Sequence, residues 1–310
     1  MKEIQSPLRA GDLVQVLSAA EIDQTLGVDG TLDGLPFMPE MLEFCGKQFH
    51  VFRRVEKTCI DMQPLDMREF KNNDVVFLDG LRCSGLDHGG CQRVCMLFWK
   101  EAWLRKMEGE KIDSPSDTGG IAKIRGRLNT ITGSDRFVCQ SSEILKATRP
   151  LGRIQRIWKC FRDVRLGTYS PLWMLGLILI PLGRKIRRKF FGDPQPRGDR
   201  KPTPAETLHL QPGEWVEVKS IREIERTLDC RGKNRGMYFS SDMRVFCGRR
   251  FRVRGRVEKM IAEGAGQMRE LKDTVILDGV TCGCPYAVGG CPRCEILYWR
   301  EIWLKRVPSK

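Results

Sequence analysis

The sequence predicts an α+β protein in which two homologous small β-barrel domains flank a basic, mainly helical middle segment. Three observations predict this fold class. Residues 11–49 align without gaps with residues 213–251, at a constant offset of 202. Each copy contains short runs of alternating apolar and polar residues, bounded by glycine-rich turns, as strands of small barrels do. Between the copies, the composition changes to a large excess of Lys and Arg.

The duplication extends beyond this block, because Leu78-Asp-Gly80 recurs as Leu277-Asp-Gly279. A copy of about 95 residues is too long for a solenoid unit and long enough for a small domain. We therefore predict barrel domains at residues 8–107 and 205–310. A linker and the helical middle segment occupy residues 108–204.

Each copy begins with a strand and a capped helix. The alternating runs Asp12–Val16 and Glu214–Val218 predict the strand. A Ser-x-x-Glu capping box follows, starting at Ser18 in the first copy. In such a box the serine caps a backbone amide and the glutamate reaches back, so it predicts a helix that runs to Leu26.

Further strands and a tryptophan-bearing helix complete the copy. The apolar positions within Phe49–Val55 predict a strand with one buried face, and Val75–Leu78 predicts another, closed by an Asp-Gly turn. The copy ends with a cysteine loop and a helix that carries Trp99 and Trp103. Residues four apart share one helical face, so we interpret these tryptophans as core packing.

The motifs Gly11-Asp-x-Val-x-Val16 and Cys45-Gly-x-x-Phe49-x-Val51 resemble the small SH3-like barrels of KOW modules and of the nitrile hydratase β chain. That resemblance implies a barrel fold for each repeat. The two-copy pattern, including Leu35-Pro-Phe-Met-Pro-Glu-Met41 and Phe98-Trp-Lys-Glu-Ala-Trp-Leu104, also resembles uncharacterised bacterial proteins encoded beside biosynthetic genes. This second resemblance implies no activity.

Thirteen cysteines in one chain need an explanation. The N-terminus, Met1-Lys-Glu-Ile-Gln-Ser-Pro7, lacks the apolar stretch of a signal peptide, which predicts a cytoplasmic protein whose thiols stay reduced. Clustered cysteines in such a protein favour metal ligation, whereas isolated ones are typical of small buried hydrophobes.

Each copy offers four thiols that could bind a metal. Cys83 aligns with Cys282 and Cys91 with Cys291, while Ile261 stands where the first copy has Cys59. The second copy thus loses one thiol and gains another, and the number is preserved. Since tetrahedral zinc takes four thiolates, we predict one Cys₄ zinc site per repeat and two zinc ions per chain. The predicted ligands are Cys59, Cys83, Cys91, Cys95, Cys282, Cys284, Cys291 and Cys294.

Three alternatives to this site stay open. An iron–sulfur cluster also takes four thiolates. His88 lies in the cysteine loop and could replace Cys59 as a ligand. Incidental burial of unrelated cysteines is the third. The shift of one thiol from Cys95 to the position of Cys294 is compatible with ligation, because positions three and four residues after a helical residue both lie beside it. The positive end of that helix dipole would also favour thiolates.

The middle segment combines apolar and basic stretches. Residues 142–201 contain 15 Lys and Arg against 4 Asp and Glu, which accounts for 11 of the net charge of +14. The apolar run Pro171–Pro181 is too short to span a bilayer, which needs about 20 residues. Apolar insertion beside a basic run is typical of peripheral attachment to an anionic membrane. Packing on the barrels and nucleic-acid binding are the alternatives. The predicted membrane contacts are Trp173, Leu175, Leu177, Ile178, Arg184, Lys185, Arg187, Arg188 and Lys189.

The sequence contains no phosphate-binding loop, dinucleotide motif, nucleophile elbow or His-Glu-x-x-His motif. Four thiolates per site would leave no open coordination position for catalysis. We therefore predict a non-catalytic metal-binding accessory or scaffold protein with a protein partner, no small-molecule substrate, and attachment to the inner membrane surface. The alternatives are an iron–sulfur redox protein or oxidoreductase partner, and a KOW-like RNA or ribosome binder.

Overall fold

A computed structural model describes residues 6–60, 66–107, 118–133, 136–191, 195–282 and 290–308. The chain forms two compact units. The first comprises Met1–Ile178, Ile261–Arg269 and Ala287–Arg293, and the second comprises Leu179–Met260, Glu270–Tyr286 and Cys294–Lys310.

The first repeat is mostly strand. Its elements are β1 (Leu13–Val16), α1 (Ala19–Asp23), β2 (Thr31–Leu32), β3 (Leu35–Pro36), a 3₁₀ helix (Pro39–Phe44), β4 (Gln48–Arg54), β5 (Thr58–Ile60), β6 (Asp66–Phe70), β7 (Val75–Arg82), β8 (Met96–Lys100), a 3₁₀ turn (Glu101–Trp103) and β9 (Leu104–Lys106). Within the described residues, an antiparallel five-stranded sheet has the order β8-β7-β4-β1-β9. It curves as half of a barrel, as the sequence predicts for an α+β domain.

The middle segment contains α2 (Thr118–Arg125), α3 (Ile144–Ala147), β10 (Thr148–Pro150), α4 (Arg153–Arg165) and α5 (Pro171–Phe191). Strand β10 pairs with β6 of the first repeat. The beginning of α5 packs on α4 through a small apolar cluster of Cys160, Tyr169 and Met174. None of the helices in the described part of the chain is both long and apolar enough to cross a membrane.

The second repeat follows the same plan. Its elements are β11 (Trp215–Val218), α6 (Ile221–Glu225), β12 (Lys233–Asn234), β13 (Met237–Tyr238), a 3₁₀ helix (Ser241–Phe246), β14 (Arg250–Arg256), β15 (Lys259–Ile261), β16 (Met268–Glu270), β17 (Thr274–Thr281), β18 (Ile296–Arg300), a 3₁₀ turn (Glu301–Trp303) and β19 (Leu304–Arg306). Its antiparallel sheet, β18-β17-β14-β11-β19, repeats the order of the first among the residues described. The prediction of two similar domains is confirmed.

The predicted capping box is present in both repeats, but the helix is shorter than predicted. Ser18 accepts a hydrogen bond from the amide of Glu21, and the carboxylate of Glu21 accepts one from the amide of Ser18. The helix α1 ends at Asp23 because the amide and hydroxyl of Thr25 both donate to the carbonyl of Ile22, at 2.9 and 2.7 Å. These bonds to a residue three positions back tighten the chain and stop the α-helix.

The predicted tryptophan helix is wrong. Met96–Lys100 forms strand β8, and Glu101–Trp103 forms a 3₁₀ turn. All five residues of β8 are buried and the first four are apolar on both faces, and such a run has no periodicity that separates a buried strand from a buried helix. The interpretation of Trp99 and Trp103 as core residues agrees with the structure, in which both are fully buried.

The same aromatic cluster forms the core of each repeat. In the first, the ring centroids of Phe37 and Trp103 are 5.2 Å apart in an edge-to-face contact, and Trp103 donates to the hydroxyl of Thr25 at 3.1 Å. In the second, Phe239 and Trp303 are also 5.2 Å apart. The tryptophans are therefore the structural centre of both copies.

The predicted Asp-Gly turn is also wrong. Asp79 and Gly80 lie within β7, where the pairing with β8 shifts register between Phe77 and Arg82. Gly80 has a φ of +73°, which fits a bulge glycine. The strand therefore continues past the bulge to Arg82, and Cys83 is the next residue.

Candidate metal centre

The cysteine loop is closed by the same backbone hydrogen bond in both repeats. The amide of Cys83 donates to the carbonyl of Cys95 at 2.8 Å, and the amide of Cys282 donates to the carbonyl of Glu295 at 2.7 Å. Cys95 therefore corresponds structurally to Glu295. Cys294 corresponds to the residue before Cys95, which is Val94.

The predicted helix at Cys91 is wrong, since residues 91–95 form neither a helix nor a strand. Val94 and Cys294 both have left-handed backbones, with φ of 54° and 45°. The helix dipole that the sequence predicts beside these thiols is thus missing, and the shifted thiol occupies a different backbone position in the two copies. The second cysteine of the loop therefore lies at two adjacent loop positions with different backbone conformations, and not at two neighbouring positions on one helical face.

Gly85 shapes the loop that follows Cys83. Its carbonyl accepts hydrogen bonds from the amides of His88, Gly90 and Cys91, at 3.3, 2.9 and 3.2 Å. Gly85 has a φ of +74°, and a Cβ there would lie 1.9 Å from the carbonyl oxygen of Cys91. Only glycine fits this position, and the resulting tight turn brings His88 back to Cys83.

Cys83 and His88 meet Glu40, which comes from the 3₁₀ helix Pro39–Phe44. The Sγ of Cys83 donates to Oε1 of Glu40 at 3.0 Å and lies 3.3 Å from Nε2 of His88. The other ring nitrogen, Nδ1, lies 3.4 Å from Oε1 of Glu40. Cys83, His88 and Glu40 each offer one ligand atom, and these three atoms all lie within 4.8 Å of one another. Among the residues described, no other three Cys, His, Asp or Glu residues meet this condition.

Two polar atoms of this group are unsatisfied. Glu40 Oε2 and His88 Nδ1 are buried and have no hydrogen-bond partner among the described residues. A buried polar atom without a partner costs about 1–3 kcal/mol. A bound cation would compensate that cost for the carboxylate, so the donor set fits a metal ion.

Burial decides the protonation states of the group. It raises the pKa of the Cys83 thiol far above its usual range, and the negative charges of Glu40 and Cys95 raise it further. Burial also lowers the pKa of His88, although Glu40 and Asp87 oppose that change. Without a metal, Cys83 is therefore a neutral thiol that donates to Glu40, and His88 is a neutral imidazole.

Three further thiols surround the group. A cavity of about 20 Å³, room for one water molecule, is lined by Cys83, His88, Cys91, Cys95 and Cys139. Cys139 is not among the ligands that the sequence predicts. Burial raises its pKa to about 11.

Two buried arginines also line this cavity, and both contact Glu263. Arg93 Nη2 lies 3.5 Å and Arg293 Nη2 lies 2.7 Å from its carboxylate oxygens. Two guanidinium groups beside one carboxylate leave a surplus positive charge, which favours anionic ligands in the cavity.

Cys59 is not part of the group. It lies in β5, opposite Met67 of β6. It is not among the described residues that line the cavity. Its carbonyl accepts a hydrogen bond from Arg293 at 2.6 Å. Of the two residues that the sequence offers as alternatives, the structure brings His88 next to Cys83.

The second repeat contains the corresponding thiol–carboxylate pair. Cys282 Sγ donates to Oδ2 of Asp242 at 3.5 Å. Asp242 aligns with Glu40 at the offset of 202, and this match of two acidic residues is the signal in the sequence that could have identified them. Cys284 lies outside the described residues. Cys291 is buried in the first unit and Cys294 half-buried in the second.

The predicted membrane contacts fall on α5. Trp173 and Leu175 are exposed, whereas Leu177 and Ile178 are half-buried against the cluster that contains Met174. The side chains of the basic run lie outside the described residues; they belong to Arg184, Lys185, Arg187, Arg188 and Lys189.

Comparison of the chain with family models, with curated proteins and with solved structures gives no significant match.

The geometry permits two chemistries. A thiol, an imidazole and a carboxylate in contact can bind a metal, or can act as nucleophile, base and orienting group. The nucleophile needs a lowered thiol pKa and room for a substrate, yet burial raises the pKa of Cys83 and the cavity has room for only about one water molecule. A metal ion needs only ligand atoms and a space of atomic size. The group therefore favours metal binding.

Proposed function

We propose that this protein is a metal-binding accessory protein and that its first repeat holds a zinc ion through Cys83, His88 and Glu40. The observation that carries the proposal is the buried contact of these three side chains, in which two polar atoms have no hydrogen-bond partner among the described residues. Cys95 is the candidate fourth ligand, because it lines the same cavity and its charge acts on Cys83.

The separations between the ligand atoms support zinc. With Zn–S of about 2.3 Å and Zn–N of about 2.0 Å, tetrahedral ligand atoms lie about 3.5 Å apart. The Sγ of Cys83 lies 3.0 Å from Oε1 of Glu40 and 3.3 Å from Nε2 of His88. These two separations need only a small expansion to admit the ion.

The mixture of ligand types also favours zinc over an iron–sulfur cluster. A cluster takes four thiolates, whereas zinc accepts thiolate, imidazole and carboxylate together. With two thiolates and one carboxylate, the zinc site would carry a net charge of about −1. Arg93 and Arg293, which line the cavity, would balance that charge.

A closed site of this kind is structural. Its ligands come from the 3₁₀ helix, from the end of β7 and from the loop shaped by Gly85. An ion that joins the three would hold the loop and the 3₁₀ helix to the sheet, and its binding energy would contribute directly to folding.

The test is the metal content of the purified full-length protein and of Cys83→Ser, His88→Ala and Glu40→Gln. Matched controls are Cys230→Ser, His50→Ala and Glu43→Gln, whose side chains are exposed. We expect about one zinc per chain from the first repeat in the wild type and in the controls. We expect most of it to be lost in the site variants.

Cobalt(II) substitution adds a spectroscopic readout, because a thiolate–cobalt charge-transfer band reports the cysteine directly. That band should vanish in Cys83→Ser and shift in Cys95→Ser. Zinc content that is equal in wild type and Cys83→Ser would contradict the proposal. Iron with acid-labile sulfide in anaerobically purified protein would show that the site holds an iron–sulfur cluster and not zinc.

A further inference from the structure

Helix α4 is amphipathic, but its apolar face is exposed to solvent. Ile154, Ile157, Trp158 and Phe161 are each between 59 and 75% exposed. Their spacing of three and four residues places them on one face of the helix. The rings of Trp158 and Phe161 pack against each other, with centroids 6.1 Å apart. The exposed face of α4 is therefore a continuous apolar ridge.

The buried face of α4 is ionic. Asp163 pairs with Lys57, and both side chains are buried. Lys159 lies 3.1 Å from a carboxylate oxygen of Glu56 and 3.0 Å from one of Glu69. Charged contacts thus bind α4 to the first repeat, and the four exposed apolar side chains lie on the opposite side of the helix. A helix that only packed on the repeat would bury its apolar side instead.

The ridge is followed by further exposed apolar residues at the start of α5. Leu172 and Trp173 are 83 and 63% exposed, and α5 packs on α4 through Met174. Tryptophans in such positions are typical of the boundary between lipid and water, where an apolar ring with one polar atom is most stable.

The charges of the segment are those that complement an anionic surface. In α4 the charged residues other than the buried Asp163 are all cationic. Arg165 lies one turn beyond Phe161 on the same face. The longer segment 142–201 has 15 Lys and Arg against 4 Asp and Glu. Apolar side chains that insert, with cations that attract anionic headgroups, are what an interfacial helix requires.

We propose that the exposed face of α4, with the start of α5, docks on an anionic lipid surface and lies in its plane. Ile157, Trp158 and Phe161 insert between the headgroups, and the ion pairs of Lys159 and Asp163 transmit the attachment to the first repeat. This surface adds the exposed face of α4, which the sequence did not indicate, to the start of the apolar run of α5, and it is independent of the metal centre.

The experiment is cosedimentation of the full-length protein with vesicles of equimolar phosphatidylcholine and phosphatidylglycerol, and with vesicles of phosphatidylcholine alone. Trp158→Ser/Phe161→Ser removes two exposed rings. Val28→Ser/Val245→Ser is the matched control, because both valines are exposed and neither belongs to α4 or α5. Circular dichroism verifies that each variant is folded.

We expect binding to the anionic vesicles that weakens with salt, a loss of about tenfold or more in the α4 variant, and no change in the control. Brominated lipid should quench less fluorescence in Trp158→Phe than in wild type.

Absence of vesicle binding would overturn the proposal, as would equal binding by the α4 variant. Loss confined to Trp173→Ser/Leu175→Ser would assign attachment to α5 alone. A wild-type dimer in solution that the α4 variant dissociates would show that a second copy covers this face instead.

Discussion

The thiol of Cys83 donates a hydrogen bond to the carboxylate of Glu40 at 3.0 Å, across a sequence separation of 43 residues. The corresponding residues of the second repeat, Cys282 and Asp242, make the same contact at 3.5 Å. A buried carboxylate next to a buried thiol is unfavourable if both are ionised, because the like charges repel. A cation between them would convert this repulsion into ligation.

Gly85→Ala should abolish metal binding without removing a ligand. Its Cβ would lie 1.9 Å from the carbonyl of Cys91, so the turn that brings His88 to Cys83 has to open. Gly80→Ala is the matched control, since Gly80 also has a positive φ but has open space around its Cβ. We expect the control to lose about 1 kcal/mol of stability and to keep its metal. Zinc content and the cobalt spectrum measure both variants; zinc retained in Gly85→Ala would show that this turn does not shape the site.

Metal affinity should increase with pH. Because burial raises the pKa of Cys83, the thiol is protonated at neutral pH and has to release its proton when the ion binds. The lowered pKa of His88 means that the imidazole contributes no second proton at neutral pH. Each thiol that gives up its proton contributes about a tenfold rise in affinity per pH unit, so ligation by Cys83 alone predicts about tenfold and ligation by Cys83 and Cys95 together about a hundredfold. Competition with a chelator of known affinity between about pH 6.5 and 8 measures this slope; an affinity independent of pH would contradict the protonation state assigned to Cys83.

Stability should respond to pH through Asp163. Burial raises the pKa of this carboxyl from 3.8 to about 6, despite its contact with Lys57. The folded protein therefore holds that proton more tightly than the unfolded chain does. The resulting stabilisation is complete below about pH 4 and is lost as the pH rises through about 6, by about 3 kcal/mol at most.

Urea unfolding of wild type and Asp163→Asn at several pH values isolates this contribution. We expect the free energy of unfolding to fall less between about pH 4 and 7 in the variant than in the wild type. The control Asp199→Asn, at an exposed position, should keep the wild-type slope. If the free energy of unfolding changes equally with pH in wild type and Asp163→Asn, the carboxyl has the same pKa in the folded and the unfolded protein.

Trp303→Ala should be among the most destabilising single substitutions in the second repeat. The indole is fully buried, contacts Phe239 and donates to Thr227 at 3.1 Å. Removing it leaves a large cavity, which costs about 3–5 kcal/mol. Trp215→Ala, at an exposed tryptophan, should cost much less. Urea unfolding measures both, and a small effect at Trp303 would mean that the core can collapse around the lost ring.

The sequence predicted the parts of the structure that depend on near neighbours. The strand at Leu13–Val16 and the capping box at Ser18 are encoded within a few residues, and the duplication made each prediction twice. The burial of Trp99 and Trp103 was also predictable from their size and apolarity. Their secondary structure was not, because a short run that is apolar on both faces fits a buried strand as well as a buried helix.

By itself, the sequence determined that thiols of the two repeats correspond, that the middle segment is strongly basic, and that His88 competes with Cys59 as a ligand. Only the tertiary structure decided that Glu40 and His88 are the neighbours of Cys83. It also decided that α4 turns Lys159 and Asp163 inward and its rings outward. The physical reason is the same in both cases. A side chain's environment depends on elements that are distant along the chain, and the cysteine spacing and the helical period of a single segment do not contain that information.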